Sequence, residues 1–247
     1  MSDFTVRMFK ENTWKNPVAV VGFPSIGLVS SIAAGYLAKT LELEFIGCIG
    51  SPEFPPYAVV QNGIPLPPLR FYGGSRNCDV CTGLESDGLI VVTSEFMPKV
   101  EQHHQLASSL MDWFAENRVS TVICLEGVLQ FEAADAYEIS AVGSTPEAND
   151  LIDRYSIKRL QDSLVRGTTG VMLYEGAMRR MNVIAMLSSA KVDMPDPRGA
   201  ARLMEPLVKM FPEMKIDMRP LYKDAEEIER HTEPHHSGGG DNDILYG

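Results

Sequence analysis

The sequence predicts an α/β protein built from crossover units on one large sheet, and three observations carry that expectation. Short β-branched runs alternate with longer helical patterns along most of the chain. Val18-Ala19-Val20-Val21 is apolar at every position, the pattern of a strand covered on both faces and therefore central. Leu106, Ala107, Leu110, Trp113 and Phe114 share one helical face, and the strand-like Thr121-Val122-Ile123-Cys124-Leu125 follows after a short link, so one complete βαβ step is legible.

Each element follows from the same patterns. The first central strand ends at Gly22, and Ile26, Val29, Ile32, Ala33, Tyr36 and Leu37 recur at helical intervals, predicting a helix from Ile26 to Leu41 packed on that strand. Further strands are expected at 45–49, 57–61, 89–93, 121–125, 138–142 and 183–187, each bounded by Gly, Pro, Asn or Asp. Asp196-Pro197 reads as a cap and first-turn proline leading into Ala200, Ala201, Leu203, Met204, Leu207 and Val208, a helix that Pro206 is expected to kink or restart. A last helix is expected from Leu221 to about Arg230. Residues 231–243 contain no aliphatic or aromatic side chain and cannot offset ordering entropy by burial, yet Ile244-Leu245-Tyr246-Gly247 follows them. The expected organisation is a globular domain over 1–230 and a flexible tail over 231–247.

Composition narrows the function. At 247 residues and 45% hydrophobic content, the chain is long enough to hold a core without disulfides or a structural metal. A formal charge of -11 repels phosphate backbones and anionic lipids, so neither nucleic acid nor a membrane surface is an expected partner. No apolar run approaches the roughly 20 residues that span a bilayer. Met1-Ser2-Asp3-Phe4-Thr5-Val6-Arg7 shows no secretory pattern, so the cytoplasm is the expected location. Cys48 and Cys124 lie in strand-like runs and are expected to be reduced, buried thiols.

Several motifs have plain readings. Gly22-Phe23-Pro24-Ser25-Ile26-Gly27 lacks the Lys-Ser or Lys-Thr of a phosphate loop, and Pro24 removes a donor; close strand-to-helix packing is the preferred reading. Cys78 and Cys81 have the spacing of half a metal or redox site with no second half at suitable spacing. His103 and His104 lie about 100° apart around a helix and cannot face one metal, so both are read as surface residues. His231, His235 and His236 fall in the tail and fix no coordination geometry, so no metal and no cofactor is assigned. Glu95 and Glu126 each closely follow a strand and, with Ser25, are placed to line a crevice at the strands' carboxyl ends. That trio is the basis of an enzymatic alternative, phosphorylase- or hydrolase-like, although carboxylates at strand ends also cap helices and bind water.

Leu245-Tyr246-Gly247 carries more information. Behind a linker of about 14 residues, which as a flexible coil spans about 20 Å, it offers an aliphatic group, an aromatic ring with a hydroxyl, and an α-carboxylate that a receptor lysine can pair with. A frayed terminus is the competing reading.

Gly22-Phe23-Pro24-Ser25-Ile26-Gly27-Leu28-Val29, Phe54-Pro55-Pro56, Asn62-Gly63, Arg70-Phe71-Tyr72, Asp196-Pro197 with Ala200-Ala201, and the closing Leu221, Ala225 and Ile228-Glu229 together resemble the proteasome assembly chaperone family in its archaeal form. The resemblance runs from about Asn12 to Arg230; Ser25 and Ser30 depart from it, standing where glycines are expected. It implies a three-layer α/β/α fold with a central mixed, largely parallel sheet, similar to nucleoside phosphorylases. It further implies a non-enzymatic, ATP-independent homo-oligomer that contacts proteasome α-subunits as assembly chaperone or activator. Leu245, Tyr246 and Gly247 match the hydrophobic-tyrosine-any ending with which proteasome activators and some family members insert between adjacent α-subunits. Asp224, Glu226, Glu227 and Glu229 are read as a solvated face of the last helix.

Overall fold

The chain is seen in a computed structural model that describes residues 4–11, 13–75, 86–129, 138–211 and 215–232. In chain order the elements are β1 (Thr5–Met8), β2 (Val18–Gly22), α1 (Val29–Thr40), β3 (Glu44–Gly50), β4 (Val59–Gln61), β5 (Ile64–Leu66), β6 (Leu69–Ser75), β7 (Gly88–Ser94), α2 (His103–Glu116), β8 (Thr121–Leu129), β9 (Ile139–Gly143), α3 (Pro146–Arg154), β10 (Lys158–Arg159), α4 (Gly167–Arg179), β11 (Asn182–Ala190), α5 (Pro197–Met210) and α6 (Arg219–Thr232). Among the described residues nine strands form one mixed sheet in the order β1-β3-β6-β7-β2-β8-β11-β9-β10. Its four central strands, β7-β2-β8-β11, are mutually parallel, and antiparallel pairs lie toward both edges.

The apolar runs explain the layering. Every residue of β2 is buried. Val18 and Val20 point into one core with Leu89, Val91, Ile123, Leu125, Ile184 and Met186, covered by α1, α3, α5 and α6. Ala19 and Val21 point into the other with Ile90, Val92, Val122 and Cys124, covered by α2 and α4. A strand's side chains alternate between faces, so a run apolar at every position is what a sheet covered on both sides requires. Phe71 on β6 stacks on Trp113 of α2 with ring centroids 4.8 Å apart, tying the antiparallel flank to that helical layer.

Several expectations need correction. The strand expected at 57–61 is shorter and lies outside the main sheet: among the described residues β4 pairs only with β5, through Asn62 (φ 50°) and Gly63 (φ 78°), the positive-φ pair of a tight hairpin turn. The helix expected from Ile26 begins at Val29, because Gly27 (φ 62°) and Leu28 (φ 53°) both take left-handed conformations and break the helical path. Pro206 neither ends nor restarts α5, which runs through it with Leu203, Met204, Leu207 and Met210 all buried; the packing outweighs one lost backbone hydrogen bond. Two helices were not expected. Thr145 caps α3 through its side chain, followed by Pro146 in the first turn. In α4, Gly167, Gly170 and Gly176 together with two threonines lower helix propensity, and packing against α2 restores it.

Candidate functional site

The four parallel strands end on one edge of the sheet, and the loops leaving them form a rim. The first loop is committed to packing. A Cβ on Gly22 would lie 2.3 Å from the Ser30 carbonyl oxygen and 2.6 Å from the Ala34 side chain, so only glycine lets α1 sit this close to β2. The Asp196 N–H donates to the Gly27 carbonyl at 2.8 Å, joining this turn to the start of α5. Ser25 Oγ accepts from the Gly127 N–H at 3.0 Å and lies 2.6 Å from Ser30 Oγ. Ser25 and Ser30 thus brace the turn against the end of β8.

Ser25, Glu95 and Glu126 do not share one crevice. Val92, Val21 and Cys124 are paired neighbours across β7, β2 and β8 and face the α2/α4 layer. Glu126 lies two positions beyond Cys124 and keeps that face; Glu95 lies three beyond Val92 and turns to the other. Glu95 therefore forms an ion pair with Arg70 of β6, a side chain only 1% exposed. Arg70 Nε donates to Tyr72 Oη at 2.9 Å, one terminal nitrogen donates to the Pro67 carbonyl at 3.0 Å, and Tyr72 Oη donates to Gln61 Oε1 at 2.8 Å. Gln61, Arg70, Tyr72 and Glu95 line a polar cavity of about 570 Å³ that extends to Ser31 and Lys39 of α1. Arg70 is a charged centre that the strand pattern did not disclose; its one sequence signal is a lone arginine within Leu69-Arg70-Phe71-Tyr72.

Glu126 reaches the opposite layer. It accepts a hydrogen bond from Thr169 Oγ1 at 2.8 Å, and burial, only partly offset by that bond, pushes its carboxyl up to about 7. The surrounding cavity, about 230 Å³, is lined by Phe23, Pro24, Met97, His103, Arg166 and Thr168 among others, and by neither Ser25 nor Glu95. His103 is half-buried rather than a free surface residue: its Nδ1 lies 2.9 Å from Thr168 Oγ1, and burial lowers its pKa. His104 is exposed, as expected. The acid-base geometry that an enzyme at this trio needs is not assembled. Among the described residues no cluster of side chains is suited to hold a metal, and no helix is long and apolar enough to cross a membrane. Cys48 and Cys124 are buried thiols whose pKa values burial raises.

The root of the tail sits on the same rim. Leu221 and Ala225 bury one side of α6, while Asp224, Glu226 and Glu227 are exposed. Glu229 departs from the expected solvated face. It accepts from Lys191 Nζ, just after β11, at 2.7 Å and from Arg198, in the first turn of α5, at 3.0 Å. The hydrogen bonds from Arg198 and then Lys191 hold its carboxyl at about 2. The last turns of α6 are thereby fixed beside the carboxyl end of β11, and the helix continues to Thr232, slightly beyond the expected end. Leu245, Tyr246 and Gly247 lie outside the described residues, as do Cys78, Cys81, His235 and His236 and the tail from 233 onward.

Comparison with known proteins extends this picture. The model of the PAC2 family matches residues 19–235. An uncharacterized protein of Methanocaldococcus jannaschii is 26% identical over 216 residues, covering 87% of this chain and 84% of that protein. Among solved structures, Pyrococcus furiosus PbaA, described as an archaeal homolog of proteasome-assembly chaperone, superposes with a TM-score of 0.80 at 28% identity, over 92% of this chain and 89% of that one. Pyrococcus furiosus PbaB, described as an archaeal proteasome activator, superposes with a TM-score of 0.79 at 22% identity, over 94% and 98% of the two chains, a likeness of fold.

Proposed function

The chain belongs to the PAC2 family, and from that premise we propose that it is a non-enzymatic, ATP-independent proteasome assembly chaperone or activator that binds the α-ring of the core particle through Leu245, Tyr246 and Gly247. The observation that carries the reading is the likeness to PbaA across nearly the whole chain, joined to a sequence that ends in an apolar residue, a tyrosine and a glycine. The root of that segment supports it, because the pairing of Glu229 with Lys191 and Arg198 anchors the last turns of α6 at the rim. The separation of Ser25, Glu95 and Glu126 weighs against the enzymatic alternative.

In this reading the domain carries no cofactor, acts in the cytoplasm and forms a homo-oligomer that presents several tails to a ring of repeated pockets. Each three-residue contact is weak, and effective concentration supplies the affinity. Deleting residues 245–247, or replacing Tyr246→Ala, abolishes co-purification with the α-ring and leaves oligomer size unchanged. Undiminished co-purification of the truncated chain would refute the assignment.

A further inference from the structure

We infer that the cavity between α1, β6 and the β4-β5 hairpin binds a small uncharged sugar or sugar-bearing molecule, recognised through two adjacent hydroxyls; the inference is independent of the tail-docking reading. Three observations carry it. The first is Gly35. Glycine is the poorest interior helix former after proline, so a glycine in the middle of a helix needs a reason. Gly170, Gly176 and Gly199 have one in the protein itself: a Cβ there would lie 2.3 Å from the Val165 carbonyl oxygen, 2.5 Å from the Val183 side chain and 2.9 Å from the Val29 side chain, respectively. A Cβ on Gly35 would meet nothing within 4 Å. Gly35 lines the cavity on the same face of α1 as Ser31 and Lys39, and open space there is what a ligand lying against the helix requires.

The second is a carboxylate held ready to accept. Arg70 and Thr93 are cross-strand partners on β6 and β7, and Glu95 lies two residues beyond Thr93, so all three belong to the sheet face that looks at α1. Arg70 is buried and fixed by Tyr72 and the Pro67 carbonyl, whereas the Glu95 side chain is 44% exposed. Arg70 donates to Glu95 Oε1, and Oε2 accepts no hydrogen bond among the described residues. The buried arginine thus orients a carboxylate that keeps one oxygen for the cavity.

The third is the balance of the lining. Lys39 and Arg70 match Glu42 and Glu95, so the cavity carries no net charge in a chain of formal charge -11. Its other polar groups are the hydroxyls of Ser31 and Thr93 and the amides of Gln61 and Asn62, which both donate and accept. Such a lining leaves the desolvation of an ion uncompensated and suits a neutral ligand whose own groups donate and accept. Two adjacent hydroxyls have that chemistry: they donate to the free oxygen of Glu95 and accept from the amides of Gln61 and Asn62. At about 570 Å³ the cavity lies in the size range of small-molecule sites and admits a sugar ring, free or carrying a base.

The test titrates the full-length chain with methyl glucoside, methyl riboside and adenosine in a calorimeter, and repeats the two ribose compounds as deoxy forms that lack one hydroxyl of the pair. The expected result is saturation by at least one probe with a Kd of about 1 mM or tighter, and binding about tenfold weaker for the deoxy form of a ribose compound that binds. A response to either glycoside assigns the site to a free sugar, and a response to adenosine alone assigns it to a nucleoside. Gly35→Leu fills the cavity from the helix side; it is expected to lower the affinity at least about tenfold, with thermal unfolding no lower than that of the unaltered chain because the helix gains propensity. Glu95→Gln keeps the side chain's size, removes the charged acceptor and is expected to weaken binding about tenfold. Saturation by none of the three probes up to about 10 mM overturns the inference, as does binding within about twofold of the unaltered chain in either variant.

Discussion

Replacing Glu126→Gln makes the protein more stable, and only above the pH at which an ordinary glutamate ionises. Glu126 is largely buried and, among the described residues, accepts a hydrogen bond from Thr169, and its carboxyl titrates at about 7 rather than 4.5. Between those values the unfolded chain releases its proton while the folded one keeps it, so stability falls as pH rises through that window and levels off above it. At about 1.4 kcal/mol per pH unit the full penalty is about 3 kcal/mol, an upper figure because solvent screening at a partly open cavity lowers it. Glutamine keeps an oxygen to accept from Thr169 and carries no charge to desolvate. Urea unfolding of both chains at pH 4 and pH 8.5 measures the difference, and all other carboxylates cancel between them. The expected gap is near zero at pH 4 and about 2–3 kcal/mol in favour of the E126Q variant at pH 8.5. A gap that stays constant across this range, or a loss of stability at pH 8.5, would refute the argument that burial governs this group.

Two further substitutions test the polar framework. Arg70→Ala leaves Glu95, Tyr72 and the Pro67 carbonyl without their buried donor and is expected to cost about 3 kcal/mol in urea unfolding, whereas Glu95→Gln, at the exposed end of the pair, costs about 1 kcal/mol. A cost for Arg70→Ala below about 1 kcal/mol would show that the cluster is not structural. Glu229 is the opposite of Glu126: its carboxyl is held at about 2, so its contribution is present above pH 4.5 and is lost as pH falls from there toward 2. Glu229→Gln is therefore expected to destabilise by at most about 1 kcal/mol at pH 7, given its partial exposure, and by only a small fraction of that at pH 2. Hydrogen exchange should show faster opening of the end of α6 in that variant, and unchanged protection there would dissociate the helix from its anchor.

The alternation of buried runs and amphipathic stretches is a local property, and the sequence by itself determined whatever depends on it. Residues 18–21 had to be covered on both faces, α2 had to bury Leu106, Leu110 and Phe114, and Gly22 had to stand where a helix presses on a strand. The family followed from the same stretch together with Arg70-Phe71-Tyr72 and Asp196-Pro197. Elements whose stability comes from neighbours were hidden: β10 is two residues long, β6 carries a charge and two glycines, and α4 has poor helix formers. Only the tertiary structure decided where the carboxylates point. Glu95 and Glu126 occupy similar places after their strands, but strand side chains alternate, and whether two strands alternate in step depends on the register in which β7 and β8 pair with β2. That register is set by long-range hydrogen bonds. It sends Glu95 to Arg70 and Glu126 to Thr169, on opposite sides of one sheet.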